Sequence, residues 1–238
     1  MIITTYTTPG RPFYRLFREL SEQPHLLIAG TTGSGKSTAL SGILHYLAQR
    51  GPWSAQYSLL DLKKVELSDW KALPHCSGYA DTEQDALLLL RNTIAEMEQR
   101  FRVMQARGEK AYTGPDLYVI VDELADLMTT VKATASPLIQ RIAQLGRAAR
   151  VHLVLCTQCP LATVITTPIK CNLPARLGLH TVTAQDSRNI LGIKGCETLP
   201  QYGRGLLMTG AGIEEVKIPR YDDEEIRTVL AWWKNQMR

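Results

Sequence analysis

GTTGSGKST, residues 30–38, follows the apolar run LLIA (26–29) and leads into TALSGILHYLAQR (38–50), a stretch with helical character. Four of its residues satisfy the pattern G-x-x-x-x-G-K-[ST]: Gly30, Gly35, Lys36 and Ser37. Glycines let the backbone curl so that its N–H groups point at phosphate oxygens, and the N-terminus of the following helix adds partial positive charge. A glycine-rich turn that binds nothing is the alternative, which the strand-loop-helix context disfavours. The stretch therefore predicts a nucleoside triphosphate site.

The predicted nucleotide contacts comprise the whole loop. Lys36 is expected to reach the β- and γ-phosphates of ATP, and the hydroxyl of Ser37 is expected to ligate Mg²⁺. The full predicted set of contacts is Gly30, Thr31, Thr32, Gly33, Ser34, Gly35, Lys36, Ser37 and Thr38.

A second motif, LYVIVDE (117–123), ends an apolar run with two carboxylates. We expect Asp122 to hold the Mg²⁺ shell and Glu123 to take the proton from the attacking water. A solvated strand end is the alternative interpretation, and pairing with the phosphate loop favours the catalytic one. Together the two motifs predict an ATPase of the additional-strand, catalytic-glutamate kind.

A polar pair, Thr157 and Gln158, ends the next apolar run of the chain. Open α/β sheets bind their ligands at the carboxyl ends of the strands, so Gln158 is predicted to sense the γ-phosphate or to orient water. An ordinary strand-end cap is the alternative.

Composition sets broad limits on the class of protein. The 238 residues carry a net charge of +4 and 45% apolar residues, which is ordinary for a globular protein and too weakly basic to argue for nucleic acid. No apolar run reaches the roughly 20 residues of a membrane span and no signal peptide is apparent, so a cytoplasmic protein without direct membrane insertion is expected. The pair Cys156 and Cys159 has no second pair at ligand spacing, so zinc is not predicted.

Short apolar runs alternate with helical stretches, the pattern of a mostly parallel sheet covered by helices. The predicted strands are 25–29, 56–61, 117–122, 152–157 and 176–181. Residues 82–108 read as one helix, capped by Asp81 or Thr82 and ended by Gly108, with Arg100 among the charges placed away from its apolar stripe.

The C-terminal part is predicted to form an antiparallel strand pair, GRGLLMTG and EEVKIP, followed by a helix from Asp222 to Arg238. Trp232 and Trp233 are expected to pack this helix onto the body or onto a neighbouring subunit. We predict a single domain with a lead-in (1–23), an ATPase core (24–220) and a C-terminal helix (221–238).

Ordered motifs over residues 24–228 resemble the motor domain of FtsK/SpoIIIE-type DNA translocases. They are PHLLIAGTTGSGKS (24–37), LLDLKKVELSDWKALPH (59–75), IAEMEQRFRVM (94–104), YVIVDELADLM (118–128), RIAQLGRAARVHLVLCTQCP (141–160), VITTPIKCNLPARLGLHT (164–181) and DSRNILG (186–192). In the second stretch, Asp61, Lys63 and Glu66 fall on the family pattern. The chain departs from the family at Cys159, where an arginine often follows the glutamine.

The resemblance implies an α/β fold with a RecA-like P-loop core that works as a ring, usually a hexamer, with ATP at the subunit interfaces. Such a motor needs an arginine from the neighbouring subunit to stabilise charge on the γ-phosphate. Arg188 is the first candidate for this role, and Arg176 and Arg147 are the runners-up.

The predicted function is ATP-driven translocation of double-stranded DNA. Lys132 and Lys170 are candidate DNA contacts, although a lone lysine is usually a solvated charge. The family's membrane segments and winged-helix domain have no counterpart in this sequence, so a mobile element, a phage, or a loading or anchoring partner is expected. A conjugation or secretion ATPase, a viral genome-packaging ATPase of the same superfamily and a nucleotide-gated scaffold are the alternatives.

Overall fold

Eight strands form one sheet in the computed structural model, which describes residues 23–218 and 220–236. The spatial order is β3-β2-β4-β5-β1-β6-β7-β8. The strands are β1 (His25–Ala29), β2 (Ala55–Leu60), β3 (Cys76–Ala80), β4 (Asp116–Val121), β5 (Val151–Thr157), β6 (Ala175–Gly178), β7 (Arg204–Thr209) and β8 (Gly212–Lys217). Every neighbouring pair from β3 to β6 is parallel, whereas β7 and β8 are added antiparallel. The predicted mostly parallel sheet with a C-terminal strand pair is confirmed.

The central strands place the phosphate loop beside the two polar strand ends. Strand β5 lies between β1 and β4, with Ala29 opposite Thr157 and Val121 opposite Leu155. Because all three strands are parallel, their carboxyl ends meet at one edge of the sheet. This is the additional-strand arrangement that the sequence predicts.

Helices cover both faces of the sheet. They are α1 (Lys36–Gln49), α2 (Glu83–Arg107), α3 (Leu124–Thr130), α4 (Lys132–Leu145), α5 (Thr167–Cys171), α6 (Ala184–Leu191) and α7 (Asp223–Gln236). Alternate residues of β1 enter opposite layers: Leu26 and Ile28 join the core under α1 and α7, and Leu27 and Ala29 join the core under α2 and α4. Each fully buried leucine or isoleucine contributes roughly 1.5–3 kcal/mol of burial free energy, so the apolar runs fix a sheet buried on both faces.

The long helix α2 begins and ends within one residue of the predicted bounds. Thr82 caps it by accepting the N–H of Asp85 at 3.2 Å, and Gly108 ends it with a φ of 65°. The prediction for Arg100 is wrong, because its side chain is 3% exposed and donates to the carbonyl oxygens of Pro115 and Ala149. Its long side chain reaches backbone carbonyls just before β4 and β5, which periodicity alone does not show.

Two strands differ from the sequence prediction. Strand β3 was not predicted because CSGYA is a half-exposed edge strand without an apolar run. Strand β6 ends at Gly178 rather than at 181, because the chain then turns beneath the phosphate loop, where the N–H of Thr31 donates to His180 O at 2.9 Å.

The C-terminal helix packs onto the body through Trp233, which is buried and donates Nε1–H to Ala48 O at 2.8 Å. Trp232 is half-exposed. The predicted lead-in, 1–23, lies outside the described residues except for Gln23. Among the helices of the described residues, none combines the length and apolar character that a membrane crossing requires.

Candidate nucleotide site

The phosphate loop connects β1 to α1 and depends on glycine at two positions. Gly35, the residue before α1, has a φ of 103°, a conformation that side-chain-bearing residues rarely adopt. A Cβ on Gly30 would lie 2.7 Å from both Leu179 Cβ and Ser34 Oγ, so no larger residue fits there without displacement. The local sequence therefore specifies a tight loop whose backbone lies against its neighbours.

A buried cation lies within this loop. The Nζ of Lys36 donates to Gly30 O at 3.1 Å and to Thr31 O at 3.3 Å, and the residue is only 8% exposed. Burial lowers the pKa of Lys36, while the charges of Glu123 and Asp122 act in the opposite direction. A cation held at a helix N-terminus creates a site for an anion.

The hydroxyl of Ser34 is a second buried polar group of the loop. Its Oγ is buried and has no hydrogen-bond partner within residues 23–218 and 220–236. Buried polar atoms are nearly always paired in folded proteins, so this unpaired hydroxyl is a group that a ligand or an ion in the loop would satisfy. The loop therefore fits the triphosphate of a nucleotide.

Carboxylates line the opposite side of the site. Asp122 follows β4 and is half-buried, and burial together with the charges of Glu66, Asp61 and Glu123 raises its pKa to about 6. Ser37 is exposed in the first turn of α1. Carboxylate and hydroxyl oxygens are hard ligands of the kind that Mg²⁺ prefers, so this donor set fits the metal.

Glu123 has the most constrained side chain of the site. It caps α3 by accepting the N–H of Ala125 at 3.1 Å, and it also accepts the hydroxyl of Thr157 at 2.6 Å and the N–H of Gln158 at 3.0 Å. Lys63 Nζ lies 3.9 Å from Glu123 Oε2. The carboxylate is therefore buried and fixed between β4 and β5.

Gln158 joins this carboxylate to the phosphate loop. Its backbone N–H contacts Glu123, and its side-chain Oε1 accepts the hydroxyl of Thr32 at 2.7 Å. The sequence did not predict the hydrogen bond from Thr157 or the ion pair from Lys63. The usable signal for Lys63 is its place just after β2, the strand beside β4.

The three candidate arginines lie in different environments. Arg188 is exposed on α6, and Arg147 is exposed just after α4. Arg176 is half-buried, and its guanidinium donates to backbone carbonyl oxygens of three residues: Leu173, Ile190 and Lys170. Those bonds favour a structural role for Arg176.

The two candidate DNA-contact lysines do not join the nucleotide site. Lys132, at the start of α4, is exposed and donates Nζ–H to Thr163 O at 3.0 Å. Lys170, on α5, is half-buried and donates to Asn189 O at 3.1 Å. Lys132 contacts the segment that connects β5 to β6, and Lys170 belongs to that segment. Both lysines therefore lie at the same stretch of chain.

The family model and the similar sequences both relate this chain to one family. The family model described as FtsK/SpoIIIE family matches residues 10–116 and 108–162. Relatives include the DNA translocase FtsK of Pseudomonas aeruginosa, 36% identical over 94% of this chain and 32% of that protein. The same-named protein of Agrobacterium fabrum is 32% identical over 97% of this chain and 30% of its own length.

Among solved structures, the pCW3 conjugation coupling protein TcpA, in its monomer form with ATPγS, superposes with a TM-score of 0.78. It is 27% identical, and the match covers 90% of this chain and 66% of that one. The chain spans about a third of the length of the curated relatives it matches. From the ordered motifs, the fold and the matching family model, we conclude that this chain belongs to the FtsK/SpoIIIE family.

Proposed function

We propose that the chain is the ATPase motor of a ring that moves double-stranded DNA. The observation that carries the proposal is the meeting of Lys36, Asp122 and Glu123 at the carboxyl edge of the sheet. It occurs in a chain related over nearly its whole length to proteins named DNA translocases. The proposed setting is cytoplasmic, with the mobile-element origin and a separate loading or anchoring partner as parts of the same hypothesis.

Each residue of the site has a proposed task. Lys36 and the backbone N–H groups of the loop hold the triphosphate of ATP, and Ser37 and Asp122 hold Mg²⁺. The metal, when bound, neutralises charge across the phosphate oxygens. Glu123 accepts the proton of the attacking water, and its fixed position between Ala125 N–H and the Thr157 hydroxyl supports that role because a general base must be held in one geometry.

Gln158 is proposed to transmit the state of the phosphate loop to Glu123. Its side chain bonds Thr32 of the loop, and its backbone N–H bonds the Glu123 carboxylate. A nucleotide that displaces the Thr32 hydroxyl would release the side chain of Gln158. Because the backbone N–H of the same residue contacts Glu123, this would change the contacts of the general base. This interpretation gives Gln158 the sensing role that its strand-end position predicts.

Hydrolysis at subunit interfaces requires a positive charge from the neighbouring subunit, and we assign it to Arg188. The exposure of Arg188 on α6 supports the assignment, whereas the carbonyl contacts of Arg176 leave that guanidinium engaged within its own subunit. The assembly is proposed to be a hexamer.

Replacing Arg188 by alanine is expected to leave ATP binding intact and to lower kcat by roughly 10³-fold or more, as loss of an arginine finger does. Mixing Arg188→Ala subunits with Glu123→Gln subunits should restore part of the activity, because some interfaces then combine an intact Glu123 with an intact Arg188. Arg147→Ala is the matched control and should retain activity. A mixture that stays inactive at every ratio would contradict the assignment.

DNA contacts are proposed to involve phosphates rather than bases, with Lys132 and Lys170 as candidates beside the β5–β6 connection. The test is ATP hydrolysis by the purified protein, with and without linear duplex DNA, across a salt series. We expect strong stimulation at low salt that falls steeply as salt rises, because phosphate binding releases counterions. Hydrolysis that is indifferent to DNA at every salt concentration would overturn DNA translocation and leave the ATPase assignment intact.

A conjugation coupling ATPase is the second candidate function. The superposition on TcpA, a protein named for conjugation coupling, favours it over the remaining alternatives. The same assay separates the two candidates, because a coupling ATPase should respond to single-stranded DNA or a protein partner rather than to duplex DNA.

A further inference from the structure

An exposed tyrosine lies against the phosphate loop on the side away from the catalytic carboxylates. The ring of Tyr202 lies beside Gly33, where a Cβ would be in van der Waals contact with it, 3.6 Å from Tyr202 Cε1 and 3.7 Å from the hydroxyl oxygen. The residue is nevertheless 67% exposed. The ring thus offers an open aromatic face at the edge of the phosphate loop, where a bound nucleotide can reach it.

Backbone contacts anchor the chain on both sides of this tyrosine. The carbonyl of the next residue, Gly203, accepts the N–H of Ile218 at 2.9 Å, just beyond the end of β8. Upstream, Leu199 O accepts Nδ1–H of His180 at 2.8 Å, and His180 O accepts the N–H of Thr31 in the loop. The segment that carries Tyr202 is therefore tied to the phosphate loop through His180.

The strand order gives the direction in which a bound nucleotide extends. On one side of β1, strands β5 and β4 are followed by Gln158, Asp122 and Glu123. The proposed function places these three residues at the terminal phosphate. On the other side lie β6 and β7, and Tyr202 precedes β7 by two residues. A nucleotide with its terminal phosphate toward β4 directs its base away from the carboxylates, toward β6 and β7.

We infer that the ring of Tyr202 stacks on the base of the bound nucleotide. The inference rests on the proposed function of the loop and extends it by assigning the base subsite. Stacking on an aromatic face uses the π-surface that all bases share, so this residue contributes affinity for the base without hydrogen-bond selection among bases. The ring, rather than its hydroxyl, is the group that acts.

The test compares two probes that share phosphates and differ in the base: the non-hydrolysable ATP analogue AMP-PNP and inorganic tripolyphosphate, each with Mg²⁺, by calorimetry. Tyr202→Ala should weaken AMP-PNP binding roughly 5- to 100-fold, the range for loss of one base–aromatic stack. Tripolyphosphate binding should stay within about twofold of wild type. Tyr202→Phe should bind both probes as wild type does, and Trp53→Ala, an exposed aromatic near the amino end of β2, controls for loss of an aromatic residue.

Four results would overturn the inference. An equal loss for both probes would show that Tyr202 shapes the phosphate loop, and no loss for either probe would place the base elsewhere. A loss in Tyr202→Phe as large as in Tyr202→Ala would assign the contact to the hydroxyl. A wild-type protein that binds neither probe would instead refute the proposed ATP site, and the base subsite with it. Sedimentation of each variant identifies any effect that arises from a changed assembly state.

Discussion

Glu123→Gln is expected to lower kcat for ATP hydrolysis by about 10²- to 10⁴-fold, the usual contribution of a positioned general base, while ATP binding persists. The substitution is nearly isosteric. An amide oxygen in the place of Glu123 Oε1 can still accept the hydroxyl of Thr157 and the N–H of Ala125, so the cap of α3 survives. It also keeps the 3.3 Å bond from the Gln158 N–H, and only the 3.0 Å bond to the second oxygen is lost. Single-turnover hydrolysis and equilibrium binding of ATP, measured on the same preparation, separate chemistry from affinity.

Asp126→Asn provides the matched control for this prediction. Asp126 lies in the first turn of α3 and its carboxylate is 3.7 Å from Lys63 Nζ, so the substitution removes a neighbouring negative charge but not the proposed base. Lys36→Ala supplies the opposite pattern, because it should abolish nucleotide binding itself. If Glu123→Gln hydrolyses ATP at a rate comparable to that of Asp126→Asn, Glu123 is a helix cap and the base lies elsewhere. If the motor proposal is right, the Glu123→Gln ring should also stall on DNA.

The phosphate loop and the strand ends could be predicted because the information is local. A glycine-rich stretch between a strand and a helix largely determines the geometry of its own loop. Buried strands such as β1 and β4 can be recognised by their continuous apolar runs. Edge strand β3 carries no such run, because one side of it faces solvent, and so the sequence pattern did not predict it.

The remaining features of the site depend on contacts between residues far apart in sequence. The hydrogen bond from Thr157 to Glu123 spans 34 residues, and that from Thr32 to Gln158 spans 126. The position of Tyr202 beside the loop likewise depends on β6 pairing with β1 and on β7 pairing with β6. Spacing along one chain without an alignment does not report such pairs, so these roles emerge only from the fold.

A charged cluster at the amino ends of the strands, opposite the nucleotide site, belongs to the same group of unpredicted features. The carboxylate of Asp116 is 3% exposed and accepts hydrogen bonds from Arg150 Nε at 2.6 Å, Arg50 Nη2 at 3.0 Å and His152 Nε2 at 3.1 Å. Burial alone would raise the pKa of Asp116, but the hydrogen bonds from His152 and Arg150 outweigh it and hold the pKa below its usual range. One carboxylate thus joins β4, β5 and the end of α1.

Asp116→Asn is therefore expected to lower the free energy of unfolding by about 3 kcal/mol, the low end for removing one partner of a buried ion pair, because both arginines are partly exposed. Since the folded pKa of Asp116 lies below the unfolded value, its contribution is fully present above about pH 4 and is lost as pH falls below that. The variant should accordingly lose less stability than wild type on acidification below pH 4. Urea unfolding at pH 7 and at pH 3 measures both effects.

Glu215→Gln, which breaks the exposed pair with Arg204, is the control and should lower the free energy of unfolding by under about 1 kcal/mol. Equal losses in the two variants would show that burial of the cluster adds nothing to its contribution.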